Sequence, residues 1–153
     1  MKFHFGRSIP VLLLFMMAAP GCSKSPSGPK PFPTFPVTGI VQVDGEPAVG
    51  VSITFHPAAD SQTIKTSPGA VTTEGGKFVA TTYKSGDGLP AGVYTLTFEW
   101  FPLELSLGKP VDRLGKAYSD FKKSEHKVTV TEGKPTDAGV IELSTKASGK
   151  AKK

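Results

Sequence analysis

The sequence is poor in cysteine, in tryptophan and tyrosine, and in long hydrophobic runs. Cys22 is the only cysteine among 153 residues, so the chain cannot form an internal disulfide. One tryptophan and three tyrosines leave few large rings that could stack on a sugar. The apolar run at residues 9–19 is shorter than the roughly 20 residues that a membrane-spanning helix needs. These shortages exclude a disulfide-stapled scaffold and argue against a transmembrane helix.

Positive charge is also scarce where a folded domain is expected. The whole chain has a formal charge of +5, but residues 37–144 hold ten Lys and Arg against thirteen Asp and Glu, a net charge of −3. The basic excess lies at the two ends of the chain. Because binding to phosphates needs clustered positive charge, we expect no nucleic-acid partner for the folded part.

The N-terminal residues predict export. Lys2 and Arg7 precede the apolar run, and small residues follow it. Cys22 comes directly after Ala19-Pro20-Gly21, a placement that resembles a bacterial lipoprotein signal, which is cut before a cysteine that becomes lipid-modified. The family pattern has an aliphatic residue such as Leu three positions before the cysteine, where this chain has Ala19. The resemblance implies a signal peptide at residues 1–21, lipidation of Cys22 and anchoring to a membrane of the bacterial cell envelope. The alternative is an ordinary secretory signal with a free thiol.

Three segments follow the signal. Residues 22–36 are rich in proline and serine and predict a semi-rigid tether, with a proline-rich recognition motif or docking of Phe32 and Phe35 on the domain as alternatives. Residues 37–144 are long enough for one domain with its own core. Residues 145–153 are lysine-rich and lack core residues, so we expect a disordered tail.

Alternating apolar and polar residues predict strands throughout residues 37–144. The apolar members of the five clearest patterns are Val37, Val41 and Val43; Val49, Val51, Ile53 and Phe55; Tyr94, Leu96, Phe98 and Trp100; Val128 and Val130; and Ile141 and Leu143. Turns are predicted at Asp44-Gly45, Glu74-Gly75-Gly76 and Leu89-Pro90-Ala91-Gly92, because glycine and proline favour chain reversal. Around the second of these turns we expect a hairpin whose second strand runs from Phe78 to Lys84. The patterns together predict an all-β fold.

The order of these segments resembles a known family. The stretches TGIVQVDGEPAVGVSITFHP, VTTEGGKF, PAGVYTLTF, HKVTVTEG and VIELS are similar to the carboxypeptidase regulatory-like domain, a transthyretin-like β-sandwich. More narrowly, TTYKSGDGLPAGVYTLTFEW followed by DRLGKAYSDFKKSEHKVTV resembles small exported lipoproteins of planctomycete bacteria. The resemblance covers Val37 to about Ser144. It implies an antiparallel Greek-key sandwich of about seven strands and an accessory module without catalytic machinery.

The least regular region, between the Trp100 strand and the next one, is the predicted partner contact. Val111, Leu114, Tyr118 and Phe121 follow helical spacing, which indicates a short helix or turn over an edge or open end of the sandwich. The candidate contact residues are Phe101, Tyr118 and Phe121. The alternative is that Tyr118 and Phe121 cover the core.

Patterns typical of catalytic and metal sites are not found. His56 and His126 lie on different predicted strands, and no serine or cysteine nucleophile stands in a recognisable triad or elbow context. His56 falls on the outer face of its strand, with no second ligand at a suitable spacing. Asp60 and the hydroxyls near it match no calcium-binding loop. We therefore expect no enzyme activity, no cofactor and no metal.

Two functions of different class remain. The first is a non-catalytic, membrane-anchored envelope lipoprotein whose sandwich is a binding or scaffold module for an envelope protein. The second is a carbohydrate-binding accessory module, which would use exposed aromatic rings. Trp100 has the parity of the buried face, so the first function is preferred.

Overall fold

Segments of alternating polarity form strands in the structure, a computed structural model that describes residues 31–58, 67–101 and 111–146. These residues belong to one compact unit that begins at Pro31. The described strands are β1 (Thr34–Phe35), β2 (Val37–Val43), β3 (Glu46–Pro47), β4 (Val51–Pro57), β5 (Gly69–Val71), β6 (Lys77–Val79), β7 (Leu89–Pro90), β8 (Gly92–Trp100), β9 (Lys127–Val130) and β10 (Thr136–Leu143). The predicted signal, Cys22, most of the tether and residues 147–153 lie outside the described residues.

The longer strands form two sheets that share a core. One sheet has the order β10-β2-β3, and β6 also pairs with β2. The other has the order β5-β4-β8-β9, while β1 and β7 form a separate pair. The described chain is an all-β sandwich, as predicted from the sequence.

One strand pair differs from the antiparallel arrangement that the family resemblance implies. β10 runs parallel to β2, with Thr136 beside Val37 and Leu143 beside Val43. The other strand pairs of the described chain are antiparallel. Side chains alternate between the two faces of a strand in either direction, so the sequence pattern does not distinguish the two arrangements.

The core is built from alternate side chains of both sheets. Its largest fully buried members include Tyr94, Phe55, Phe78, Phe98, Ile53, Leu89, Leu96 and Leu114. Phe55 of one sheet and Phe78 of the other have ring centroids 6.3 Å apart, which places them at the centre of the contact between the sheets. Trp100 is only partly buried and packs at the margin of this core.

The predicted hairpin around Glu74 is divided between the two sheets. β5 pairs with β4, whereas β6 pairs with β2. The turn itself is present, with positive φ at Gly75 and Gly76. The two strands still meet at two points in hairpin register, the antiparallel bridge between Gly69 and Thr81 and the hydrogen bond from the Thr73 N–H to the Lys77 carbonyl. Between these points each strand pairs with a different sheet, which alternation does not reveal because it identifies the buried face of a strand and not the sheet that it joins.

β6 ends at Val79 and does not continue to Lys84. The carboxylate of Asp87 accepts hydrogen bonds from the backbone N–H groups of Thr82, Tyr83 and Lys84, at 2.7, 3.0 and 3.0 Å. These bonds hold the chain in a turn, as aspartate side chains commonly do. Burial raises the pKa of Asp87, but the backbone donors outweigh it and hold that pKa below its ordinary value.

The predicted turn at residues 89–92 contains a short strand. Leu89 and Pro90 pair with Phe35 and Thr34, and Phe35 packs against the core. The last residues of the predicted tether therefore dock on the domain, which was one of the alternatives for Phe35.

A buried tyrosine fixes the corner that follows. The hydroxyl of Tyr94 donates to the Pro90 carbonyl at 2.9 Å. Burial, together with the nearby Tyr83, raises the pKa of Tyr94 to about 12. The arrangement matches the tyrosine corner of β-sandwiches. This corner was not predicted from the sequence, although a tyrosine four residues after a proline at the start of a strand is a usable signal.

Candidate functional site

Residues 111–126, which include most of the described part of the predicted contact region at residues 101–125, lie along the edge of β8. β9 pairs with only the first four residues of β8. Beyond them, the backbone N–H groups of Leu96 and Phe98 donate to the carbonyl groups of His126 and Tyr118, at 2.9 and 3.0 Å. The segment thus satisfies the second half of a strand edge that would otherwise invite pairing with another chain.

Asp112 organises the start of this segment as a turn. Its carboxylate accepts hydrogen bonds from the backbone N–H groups of Trp100, Leu114 and Lys116, at 2.8, 3.0 and 2.7 Å. Gly115 and Lys116 have φ values of +59° and +63°, which interrupt a right-handed helix. Of the helix and the turn that the sequence allowed, the structure has the turn.

The three predicted contact residues are separated in the structure. Tyr118 is half-buried, its ring stands edge-on to Phe98 at 6.4 Å, and its hydroxyl accepts a hydrogen bond from the Ser144 N–H at 2.9 Å. It covers the core, as the alternative for this residue states. Phe101 and Phe121 are 39% and 51% exposed, so these two rings are accessible.

His56 lies on the outer face of β4, as predicted, but it is covered. The ring of Phe121 stacks on the imidazole with centroids 5.3 Å apart. Nε2 of His56 lies 2.9 Å from the Thr97 hydroxyl oxygen. Burial lowers the pKa of His56.

His126 is partly buried at the end of the same segment. Its ring is edge-on to Phe98 at 5.2 Å and lies 6.0 Å from the ring of Tyr118. Burial lowers the pKa of His126, and the charge of Glu125 opposes this in part. Burial of both histidines among aromatic rings therefore favours their neutral form.

Thermal stability is expected to fall in two separate steps as the pH is lowered. Because the folded-state pKa values of His56 and His126 lie below the ordinary 6.5, the unfolded chain binds more protons once the pH drops below that value, and the free energy of unfolding falls. The pKa values of Asp44 and Asp87 lie below the ordinary 3.8, so their contribution is lost only in a second, more acidic step. The measurement is the unfolding temperature of the wild type and of the double variant His56→Gln, His126→Gln from about pH 7 to about pH 5. The unfolding temperature of the double variant should fall less over this range than that of the wild type. Equal falls would contradict the assignment of the first step to these two histidines.

Trp100 sits between two neighbours at one end of the sandwich. Its Nε1–H donates to the Val49 carbonyl at 2.9 Å. The guanidinium carbon of Arg113 lies 5.3 Å from the centroid of the ring, within the range of a cation–π contact. A partly buried ring with a guanidinium on it leaves less surface for stacking on a sugar.

Exposed apolar residues lie in the chain segments that hydrogen-bond to Trp100 or follow it. Val49 is 55% exposed, because the chain turns at Gly50 (φ +81°) before β4 begins. This differs from the prediction that Val49 points inward with the rest of its strand. Val111 is also exposed, and the Arg113 N–H donates to the Trp100 carbonyl at 2.9 Å, which brings this part of the chain beside Phe101. We call Val49, Phe101 and Val111 the far-end cluster. Of its members the sequence indicated only Phe101, although the glycine after Val49 was a signal that the strand starts later.

Some predictions fall on residues that the structure does not describe. Asp60 and Cys22 are among them. Within the three described ranges, no group of three His, Cys, Asp or Glu side chains lies close enough to share a metal ion. In the same ranges, no helix has the length and apolar character needed to cross a membrane. The start of the predicted tail is described, and the Thr145 hydroxyl donates to a carboxylate oxygen of Asp44 at 2.6 Å.

Comparisons with known proteins give little guidance. No protein-family model matches the chain, and no curated protein matches it. Among solved structures, the chain is similar to a 9R-lipoxygenase from Cyanothece PCC8801, with 11% sequence identity and a TM-score of 0.38. The match covers 72% of this chain and 16% of the lipoxygenase chain. This similarity is too low to indicate a shared fold, and nothing is carried over from the lipoxygenase.

Proposed function

We propose that this protein is a non-catalytic lipoprotein of the bacterial cell envelope, anchored through lipid on Cys22, whose sandwich binds another envelope protein. Its resemblance to exported lipoproteins and to the carboxypeptidase regulatory-like domain, an accessory module, supports this proposal. The lone cysteine after an export signal supports the anchor, since it has no disulfide partner in this chain.

The position of the far-end cluster is the observation that carries the proposal. The described chain enters the sandwich through β1, which pairs with β7 just before β8 begins at Gly92. β8 then runs nine residues to Trp100, a distance of about 27 Å at roughly 3.4 Å per residue. The far-end cluster is therefore at the end of β8 opposite the one beside which β1 lies. Exposed apolar residues at that end of the sandwich offer a surface that a protein partner can cover.

Photo-crosslinking in the native cells tests the binding function. A photoreactive residue replaces Phe101 in one variant and Val93 in the control, because the two side chains are equally accessible, 39% and 40% exposed, at opposite ends of β8. We expect one protein adduct, identified by mass spectrometry, at position 101 and none above background at position 93. The same adducts at both positions, or none at either, would overturn the proposed binding surface.

The anchor is tested by the variant Cys22→Ser. Removing the thiol removes the site of acylation, and stable anchoring needs more than one acyl chain. We expect the variant to move from the membrane fraction to the soluble fraction, while the circular dichroism of the purified domain stays unchanged. Washing the membranes with high salt and carbonate separates lipid anchoring from retention by a partner. A Cys22→Ser variant that resists this wash would contradict lipidation as the means of attachment.

A further inference from the structure

A concave surface lies where the chain passes from one sheet to the other, between β5 and β6. It is an open groove of about 740 Å³ on the outside of β4, β5 and β6. Its lining includes Ser52 and Thr54 of β4, Val71 of β5, Lys77 and Val79 of β6, and Ser85. We call these six residues the corner groove. It does not overlap the far-end cluster and is independent of the proposed function.

The groove forms because β5 and β6 diverge to different sheets. The backbone groups at both ends of the divergence are nevertheless hydrogen-bonded. The Gly69 and Thr81 backbones exchange two hydrogen bonds at 3.0 and 2.9 Å, and the Thr73 N–H donates to the Lys77 carbonyl at 2.7 Å. The opposite side of β5 is bonded to β4. A peptide that binds by adding a strand needs a free strand edge. Because the backbone groups at both ends of β5 are already hydrogen-bonded, a peptide that adds a strand is a poor candidate for the ligand.

The charge and polarity of the lining exclude two further classes of ligand. Among the described residues that line the groove, Lys77 is the one charged side chain. Hard divalent cations need several carboxylate or carbonyl oxygens, and polyanions need clustered cations, so neither class fits. The hydroxyls of Ser52 and Thr54 take part in no hydrogen bond between described residues and can pair with a ligand.

We propose that the corner groove binds an uncharged oligosaccharide. Sugar hydroxyls pair with Ser52, Thr54 and Ser85, and the C–H faces of the sugar rings rest on the methyl groups of Val71 and Val79. The two valines are 59% and 48% exposed, so their methyl groups are accessible. A chain of sugars suits an open groove of this size, which lies within the range of small-ligand sites. This site differs from the aromatic one that the carbohydrate hypothesis first suggested around Trp100.

The test is an NMR titration of the ¹⁵N-labelled protein, in which the positions of its amide signals report binding. The probes are cellotetraose, mannotetraose and tetra-N-acetylchitotetraose, with tetra-alanine as the peptide comparison. We expect at least one tetrasaccharide to shift the amide signals of Ser52, Val71 and Val79 in a saturable way. The double variant Ser52→Ala, Thr54→Val should weaken that binding about tenfold or more. The control Thr129→Val removes a hydroxyl from the exposed side of β9 and should leave binding within about twofold.

Three outcomes would overturn the proposal. One is that no tetrasaccharide shifts these signals at millimolar concentration. Another is that the double variant, still showing a dispersed spectrum of a folded protein, binds as well as the wild type. The third is that tetra-alanine shifts the same signals more strongly, which would assign the groove to a peptide. None of them affects the crosslinking result at Phe101, so the two proposals fail separately.

Discussion

Gly88→Ala is expected to lower the free energy of unfolding by about 3 kcal/mol or more. Gly88 has a φ of +85°, and a Cβ atom there would overlap the carbonyl group of Phe35. That obstacle is backbone and cannot rotate away, so β1 must leave its place beside β7. A non-glycine residue at positive φ adds its own cost of roughly 1–2 kcal/mol.

Gly86→Ala is the matched control. Gly86 also has a positive φ, +72°, but a Cβ atom there meets only a methyl group of Val79 at 3.7 Å, an ordinary contact. The free energy of unfolding of this variant should therefore fall by only about 1–2 kcal/mol. Urea unfolding followed by the fluorescence of the single tryptophan, Trp100, measures both variants. Equal losses would mean that Phe35 is not packed against Gly88, and the tether would then extend to residue 36 as first predicted.

Leu114→Ala is expected to lower the free energy of unfolding by about 3 kcal/mol, within the range measured when leucine is replaced by alanine in protein cores. Leu114 is fully buried, although it belongs to a segment of turns. Removing three side-chain carbons, one methine and two methyl groups, leaves a cavity beneath residues 111–126 and weakens their contact with β8. Because that segment bonds the edge of β8 through the Tyr118 and His126 carbonyls, the variant should also aggregate more readily.

Val111→Ala is the corresponding control. Val111 lies three residues earlier and is 75% exposed, so its loss should change the free energy of unfolding by no more than about 0.5 kcal/mol. Urea unfolding and light scattering on the same samples report stability and aggregation. A Leu114→Ala variant as stable as Val111→Ala would show that the segment is not anchored in the core, and the assignment of residues 111–126 as an edge cover would be wrong.

The candidate site was accessible to sequence analysis only in part. Phe101 and Phe121 were predicted as contact residues, and both are exposed in the structure. Tyr118 is also aromatic and has the same helical spacing as Phe121, yet it packs on Phe98, because it follows the turn that Asp112 organises. A helical periodicity cannot anticipate this, since the residues that follow Asp112 do not form a helix.

The far-end cluster and the corner groove depend on contacts between distant residues. Val49 belongs to the cluster because Gly50 turns the chain before β4. The corner groove exists because β5 and β6, only five residues apart, join different sheets. Neither arrangement leaves a periodic trace in the sequence.

The amino-acid sequence by itself determined the all-β class and the alternation that buries Val41, Ile53, Leu96 and Phe98, because burial on one face of a strand is a local property of period two. It also indicated the turns at Asp44-Gly45 and Glu74-Gly75-Gly76, where glycine is required at positive φ. Only the tertiary structure decided which strands are neighbours, that β10 runs parallel to β2, and that residues 111–126 cover β8. These features depend on hydrogen bonds and packing between residues far apart in the chain, and the same local pattern is compatible with several such pairings.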